Sequence, residues 1–469
     1  MLKSLRIQNF KAWKDTGEIR MAPITLFFGA NSSGKSSIGQ FLMMLKQTVE
    51  SPDRKAVFYP GGPNSAVQLG SYKEMVFGRN PKNIIEFEYT WSSFGTLRFK
   101  DLILGEIYSG DELAFQSKVE LEKNQRAPTP IVDSLIYRLF EQGESTLSTE
   151  MKRTPGAKTR YQVAAANYHL VRKIGRPWSP GAPVRFYGFP DEVVAYYQNA
   201  DFVKDLNFQH EKLYRSIYYL GPLRTKAERL YSWSGVEPDS VGFSGENTVA
   251  AILAAKDRWI SLGPRKWNML LEEIIALKLV EMGLIDDFEI KPISEQRQEY
   301  EVKLKTKLSA DWVDLPDVGF GISQVLPVLV QCFYAPPGSI VIMEQPEIHL
   351  HPSAQSVLAD VMIDVIKSRE NYSDRKIQLI IETHSEHFLR RLQRRIAEDL
   401  LPQEKVSAYF AKATGKQLVL EPLDIDSFGN IRNWPEHFFG DEMGDIMEQA
   451  EAALQRQMEQ EGPAPGGNE

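Results

Sequence analysis

The sequence predicts an α/β fold, a mixed sheet with covering helices that is split by a long insertion. Three observations carry this expectation. Near the N-terminus the apolar run Ile24-Thr-Leu-Phe-Phe28 passes through a glycine-rich turn into an amphipathic segment, which reads as strand, loop, helix. The last third of the chain alternates helix and strand in the manner of a mostly parallel sheet with its crossover helices. Between these two ends the periodicity weakens for a long stretch.

Taken in order, Leu5, Ile7 and Phe10 alternate with polar residues as a first strand, and Ile24–Phe28 forms a second. Ile38, Phe41, Leu42, Leu45 and Val49 then recur at helical spacing. Alternating runs at Asn83–Trp91 and Thr96–Leu104 predict an antiparallel sheet flanking this unit. From about Asp111 to Pro190 charge clusters mix with punctuation such as Thr154-Pro-Gly156 and Ser179-Pro-Gly-Ala-Pro183, which places an insert of unreadable fold there. The aromatic-rich segment 191–235 reads as core and ends in a strand and tight loop, Tyr218-Tyr-Leu-Gly-Pro-Leu-Arg224. Trp267–Met282 reads as a helix and Gln298–Lys307 as a strand. Helices are then expected at Gly321–Phe333, Ser353–Lys367 and Ser385–Ala397, with strands at Ile340–Met343, Ile377–Glu382 and Val406–Ala411. The expected division is 1–110 and 311–435 for the two parts of one head, 111–310 for an insertion with a helical lobe, and 436–469 for an acidic helix and disordered tail.

Composition bounds the function. Hydrophobic residues at 42% and charged residues at 25% are ordinary for a folded protein and exclude collagen-like and disordered chains. A net charge of −7 provides no global field toward nucleic acid or anionic membrane. One cysteine, Cys332, excludes a disulfide framework and a multi-cysteine zinc site, and reads as a buried structural thiol. No segment has a signal-peptide pattern or the ~18 consecutive apolar residues of a membrane helix, which predicts a soluble, cytoplasmic protein with no membrane partner.

Gly29-Ala-Asn-Ser-Ser-Gly34-Lys35-Ser36 is a complete phosphate-loop pattern, set after a buried strand and opening a helix. Glycines let backbone amides turn inward around an anion, the helix N-terminus adds its dipole, Lys35 reaches the β and γ phosphates, and the Ser36 hydroxyl ligates Mg²⁺. Gly29, Asn31, Ser33, Gly34, Lys35, Ser36 and Ser37 are the expected nucleotide contacts. Ser339-Ile-Val-Ile-Met-Glu344-Gln345-Pro346-Glu347 is an apolar strand ending in acid, where Glu344 would hold the metal's water shell. A third strand end presents His384 in Ile380-Ile-Glu-Thr-His384-Ser385. Asp317-Val-Gly319-Phe-Gly321-Ile-Ser323-Gln324, 21 residues before Glu344 when counted from Ser323, offers glycines and a serine at a helix start. That turn reads either as a simple N-cap or as a second anion site, which a two-fold dimer would place over the nucleotide of the other copy.

In this order the motifs resemble an ABC-type ATPase head of the RecF, SMC and OLD kind. Leu5-Arg-Ile-Gln-Asn-Phe-Lys11 looks like the first strand of such heads, and Glu344-Gln-Pro-Glu-Ile-His-Leu-His-Pro352 is similar to the Walker B and D-loop of OLD-like proteins. Tyr219-Leu-Gly-Pro-Leu-Arg224 and Asp426-Ser-Phe-Gly-Asn-Ile431 with Trp434-Pro resemble a group of bacterial AAA-family ATPases that carry a short C-terminal domain of unknown function. The resemblance implies ATP and Mg²⁺ as ligands and a head-to-tail dimer. In it Lys35 and Ser36 of one chain and Gly321, Ser323 and Gln324 of the other enclose each ATP, His384 contacts the γ-phosphate, and Gln68 is a further candidate metal ligand. It also implies a setting in DNA maintenance or anti-phage defence, beside an effector such as a nuclease or toxin.

Two departures from the family pattern matter. The usual catalytic Glu after the Walker B acid is Gln345, which can orient water but cannot accept its proton, so slow hydrolysis is expected, with Glu347 as the alternative carboxylate. Asp424-Ile-Asp426 has the spacing of a Toprim metal pair, yet too few residues follow it for that domain, so a solvated turn is expected. Arg390, Arg391, Arg394 and Arg395, with Lys152, Arg153, Lys158 and Arg160 in the insert, are the candidates for DNA or RNA contact, although such runs are usually solvated faces. The expected function is an ATP-gated dimeric switch. The rivals are an ATPase that processes nucleic acid directly and an ATP-binding scaffold that scarcely hydrolyses.

Overall fold

The computed structural model describes the chain except residues 102, 104, 123–127, 155–159, 176–178, 295–296, 307–310, 416, 436–437, 439–446, 455 and 457–469. Lys158, the Pro155-Gly156 pair and most of the acidic tail lie outside the described residues. Residues 447–454 are helical and exposed.

Two sheets face one another across a central helix. The first is antiparallel. Its strands β1 (Leu2–Phe10), β3 (Ile85–Lys100), β4 (Ile107–Leu121), β5 (Pro130–Glu141), β6 (Glu144–Arg153) and β7 (Tyr161–Ala166) lie side by side in that order. The second has six strands. β8 (Ile217–Leu220), β9 (Ile340–Glu344), β10 (Gln378–Glu382), β2 (Ile24–Gly29) and β11 (Val406–Thr414) run parallel in that spatial order, and β12 (Gln417–Pro422) closes the edge antiparallel to β11. The mixed α/β P-loop fold expected from the sequence is therefore the fold observed.

The central strands of the second sheet are mostly apolar because both faces are covered, with polar residues at Thr25, Gln378 and the strand ends Glu344 and Glu382. On β9, Ile340 and Ile342 join one core while Val341 and Met343 join the other. The first core holds helix α1 (Ser36–Glu50) between the two sheets, where Phe41 meets Phe10 and Phe87 edge-on at 5.0 and 5.1 Å. Such edge contacts add roughly 0.5–1.5 kcal/mol each beyond the area they bury. The second core lies under α3 (Phe320–Tyr334), α4 (Pro352–Lys367) and α5 (Glu386–Ala397). α2 (Phe202–Arg215) closes the first core, with His210 fully buried between the hydroxyls of Tyr89 (2.7 Å) and Tyr137 (2.9 Å). Buried Gln378 joins the sheets, since its amide accepts from Leu2 N at 2.9 Å and donates to Leu2 O at 2.8 Å.

The structure differs from the sequence reading in its middle. The two alternating runs expected as separate strands at 83–104 are one strand, β3, bulged between Ser92 and Leu97. The division expected at residue 110 falls inside β4, and β4 to β7 extend the same sheet as β1. Their alternation is broken in the sequence by polar residues on the inward face, Ser117, Ser134 and Thr149, all buried. The remainder of 111–310 combines helices Phe202–Arg215, Thr248–Ala254 and Leu271–Glu281 with short antiparallel strands. Asp424 and Asp426 sit in a tight turn where Asp426 Oδ1 accepts from Phe428 N and Asn430 N, both at 2.9 Å, in keeping with a turn.

Candidate functional site

The carboxyl ends of β2, β9 and β10 converge on the start of α1, the place where open parallel sheets bind ligands. Gly29 ends β2 at φ +141°, and a Cβ there would overlap the Ala411 carbonyl of β11, so this position admits only glycine. Ser32 and Gly34 also take positive φ, which turns the loop back on itself. No side chain caps the start of α1, whose positive end faces the loop, while the Ser37 and Ile38 amides donate to Gly34 O (3.1 Å) and Lys35 O (3.0 Å). Lys35 is buried, and its ammonium folds back over the loop to donate to Gly29 O (2.9 Å), Ala30 O (2.7 Å) and Ser33 Oγ (3.3 Å). Burial lowers its pKa, and Glu382 works against that shift. The Ser37 hydroxyl, expected at the nucleotide, instead lies behind the loop, donating to Gly34 O and accepting from Trp13 Nε1 at 3.1 Å. Trp13 Nε1 also donates to Gly34 O at 3.0 Å.

Two carboxylates face this loop from neighbouring strands. Glu344 and Glu382 are register partners at the ends of β9 and β10. Glu382 Oε1 accepts from Ser36 Oγ at 3.0 Å, and its buried Oε2 has no partner. Glu344 Oε1 accepts from the Tyr219 hydroxyl at 2.7 Å. Burial, with the charge of Glu382 adding to it, pushes Glu344 up to about 7. Burial likewise raises Glu382, against the pull of Ser36 and Lys35. Arg224 donates to Glu344 O at 3.3 Å and is itself lowered by burial to about 10.

The residues after β9 complete the rim. Gln345 takes φ +46°, a costly conformation for a non-glycine residue, and its backbone N donates to Glu382 O at 2.8 Å. Glu347 is buried and raised by that burial; its Oε1 accepts from His384 N at 2.8 Å and its Oε2 has no partner. His384 follows β10 with its ring exposed, and partial desolvation and then Lys35 lower its pKa. The structure thus brings together the Gly29–Ser36 loop, Glu344, Gln345, Glu347 and His384.

Other expected contacts lie apart from it. Gln68 is in a loop and not in a strand, with its amide donating to Pro63 O at 3.0 Å. Gly321 packs its Cα against the His349 carbonyl, and Ser323 Oγ donates to Phe320 O at 2.9 Å. Gln324 is buried, so its side chain is not offered at the turn. Among the described residues no hydrogen bond or ion pair joins the Ser323 turn to the Lys35 loop.

Sequence reasoning missed Glu382, Tyr219, Arg224 and Trp13. Glu382 carried a signal, because it ends an apolar strand as Glu344 does. Tyr219 carried none, since a tyrosine in an apolar strand reads as core. The arginine helix is also more self-contained than its sequence suggests. Arg391 and Arg395 pair with Asp360 at 2.7 and 2.6 Å, Arg394 pairs with Glu398 at 2.7 Å, and Arg390 pairs with Glu386 and lies over the Trp434 ring. In the insert Arg153 pairs with Glu120 and Asp133. Cys332 is fully buried, and burial pushes its thiol up to about 12.

The donor set fits magnesium with nucleotide. Ser36 and the carboxylates supply hard oxygens, two carboxylate oxygens are buried without a partner, and the uncapped helix start complements phosphate. Among the described residues no group of three or more His, Cys, Asp or Glu side chains would hold a metal by itself, which accords with an ion that relies on phosphate oxygens. Residues 1–140 match the AAA ATPase domain family, and residues 197–390 match a family described as "AAA domain, putative AbiEii toxin, Type IV TA system". Two stretches of the chain are thus similar to AAA-type ATPase domains. Residues 401–449 match a protein family of unknown function, DUF3696, so β11 and β12 of the six-stranded sheet fall within that family's segment.

Among solved structures the chain is similar to the SMC head domain from Thermotoga maritima (11% identity, TM-score 0.40, 90% of this chain and 99% of that one). It is also similar to an Smc head domain with an extended coiled coil bound to the C-terminal domain of ScpA derived from Pyrococcus furiosus (9%, 0.41, 96% and 99%). A third is an SmcHead bound to the C-winged helix domain of ScpA (10%, 0.40, 91% and 98%). No curated protein matches the chain. Among the described residues no helix is long and apolar enough to cross a membrane.

Proposed function

We propose that this protein binds ATP with Mg²⁺, hydrolyses it slowly, and works in the cytoplasm as a dimeric switch that opens and closes with the nucleotide. The observation that carries the reading is the meeting of the Lys35-Ser36 loop with Glu344 and Glu382 at one sheet edge. Ser36 and Glu344 would hold the magnesium ion, which when bound supplies positive charge against the phosphates. Lys35 exchanges the Gly29 and Ala30 carbonyls for phosphate oxygens. Gln345, without a titratable base, orients the attacking water, and Glu347 is the alternative carboxylate. His384 contacts the γ-phosphate.

The Gly321–Ser323 turn serves the nucleotide of a second copy, which accords with the absence of a described bond to its own Lys35 loop. A setting in bacterial defence, with a nuclease or toxin as effector, is supported by the toxin–antitoxin description of the family matching 197–390. The paired arginines of α5 weigh against that helix as a nucleic-acid surface. Gln345 also favours a second reading, a scaffold that binds ATP and scarcely hydrolyses it.

The test is ATP turnover together with sedimentation with and without ATP. The switch predicts slow turnover and ATP-dependent dimers; turnover of tens per second, or no association with ATP, refutes it. Gln345→Ala damages function in a switch and leaves a scaffold's function intact.

A further inference from the structure

The segment from Tyr219 to Arg229 begins in the last residues of β8 and runs irregularly beyond Leu220, and its two ends grip different parts of the head. At one end the Tyr219 hydroxyl bonds Glu344 Oε1 at 2.7 Å, and Arg224 bonds Glu344 O. At the other, Arg229 pairs in bidentate fashion with Asp317, at 2.7 and 2.8 Å, and reaches Asp314 at 3.0 Å. Asp317 stands two residues before Gly319, which caps the helix of the Ser323 turn. Asp314 is held a second time by Lys303 at 2.6 Å, so the pair belongs to a network and not to an isolated surface contact.

The middle of the segment is fixed as well. Gly221 N donates to Phe243 O and Thr225 N to Ser244 O, both at 2.8 Å, and the Thr225 and Ser244 hydroxyls meet at 2.9 Å. The neighbouring Gly245 lies so close to Pro327 of α3 that a Cβ would overlap the proline ring. Val241 N donates to Gln331 Oε1 of the same helix at 3.2 Å. A pocket of about 110 Å³ between Thr225, Lys226, Gly245, Ser323 and Pro327 marks where segment and turn adjoin.

We propose that residues 219–229 act as a positioning strap, in which Tyr219 sets Glu344 at the chain's own nucleotide site and Arg229 sets the turn offered to the other copy's nucleotide. A shift of the turn on closing over the second nucleotide is carried along the strap to the carboxylate of the first. Tyr219 and Arg229 are positioning residues, since each acts through another group. The inference rests on the ATP-dimer reading and deepens it.

The experiment compares wild type with Tyr219→Phe, Arg229→Gln and the double variant. Tyr219→Phe removes a hydrogen bond to a carboxylate and lowers kcat about tenfold with KM unchanged. Arg229→Gln, at an exposed side chain, lowers kcat about threefold. Coupling through the strap leaves the double variant near the tenfold loss; a loss of about thirtyfold, the product of the two, overturns the strap. Hydrogen exchange at 317–325, measured without nucleotide, is faster in both single variants, and unchanged exchange there in Tyr219→Phe also overturns it. A wild type that neither turns over ATP nor associates with it refutes the ATP-dimer reading instead, and the exchange result still decides the strap.

Discussion

Glu344 makes the metal-free protein less stable than it would be with a neutral side chain there, and Glu344→Gln exposes the difference. Burial raises its pKa from the usual 4.5 to about 7. At pH 4.5 and below, folded and unfolded chains both hold the proton and the site costs nothing. Between 4.5 and about 7 the unfolded chain has released the proton while the folded one keeps it, so stability falls as pH rises, and above 7 the full cost remains. At about 1.4 kcal/mol per tenfold change in proton activity, that interval amounts to about 3 kcal/mol.

Glutamine keeps the shape and can still accept the Tyr219 hydroxyl. Glu344→Gln is therefore expected to be more stable by up to about 3 kcal/mol at pH 8 and by almost nothing near pH 4.5. With an unfolding entropy near 1 kcal/mol/K for a chain of this length, the gain at pH 8 corresponds to a melting point higher by roughly 3 °C. The assay is thermal and urea unfolding in EDTA without nucleotide, at pH 5 and pH 8. No gain at pH 8, or an equal gain at pH 5, would refute the burial of a carboxylate poised near neutrality. The same variant should lose Mg²⁺-dependent ATP hydrolysis, which makes the cost at rest the counterpart of a site built to receive a cation.

Two further outcomes are expected. Gly29→Ala forces a Cβ against the Ala411 carbonyl at a φ that only glycine tolerates, so it should lower stability by about 2 kcal/mol or more and abolish ATP binding; calorimetric titration and urea melts check both. Cys332, buried with its thiol pushed up to about 12, should resist a thiol reagent at pH 8 in the native protein and react fully in denaturant, and rapid native labelling would contradict its packing.

The nucleotide half of this head is written locally. Ile24–Phe28, Ile340–Met343 and Ile377–Ile381 are mostly apolar because both faces are covered, and the glycine loop declares itself by spacing, so the parallel sheet and Lys35 were legible. The antiparallel sheet was not. Ser117, Ser134 and Thr149 are buried polar residues that interrupt the alternation by which long strands are read. Glu382 and Tyr219 were hidden for another reason. Their roles come from register across strands 38 and 125 residues apart from Glu344, and no local pattern records which strand lies beside which. Gln324 misled because helix position within a motif does not reveal which face the core covers.

The spatial order of the six strands has a consequence for synthesis of the chain. β2 lies between β10 and β11, whose residues come about 350 or more positions later in the chain. Ala411 is the residue whose carbonyl a Cβ on Gly29 would overlap. A nascent chain on the ribosome therefore carries β2 and its glycine loop unpaired while the intervening residues are made, and such long-range pairing is slow and exposes sticky edges meanwhile. Only when residues 406–414 emerge does β11 pair with the end of β2 at Gly29, so a chain cut before β11 is expected to lose ATP binding, which calorimetric titration of such a truncation checks.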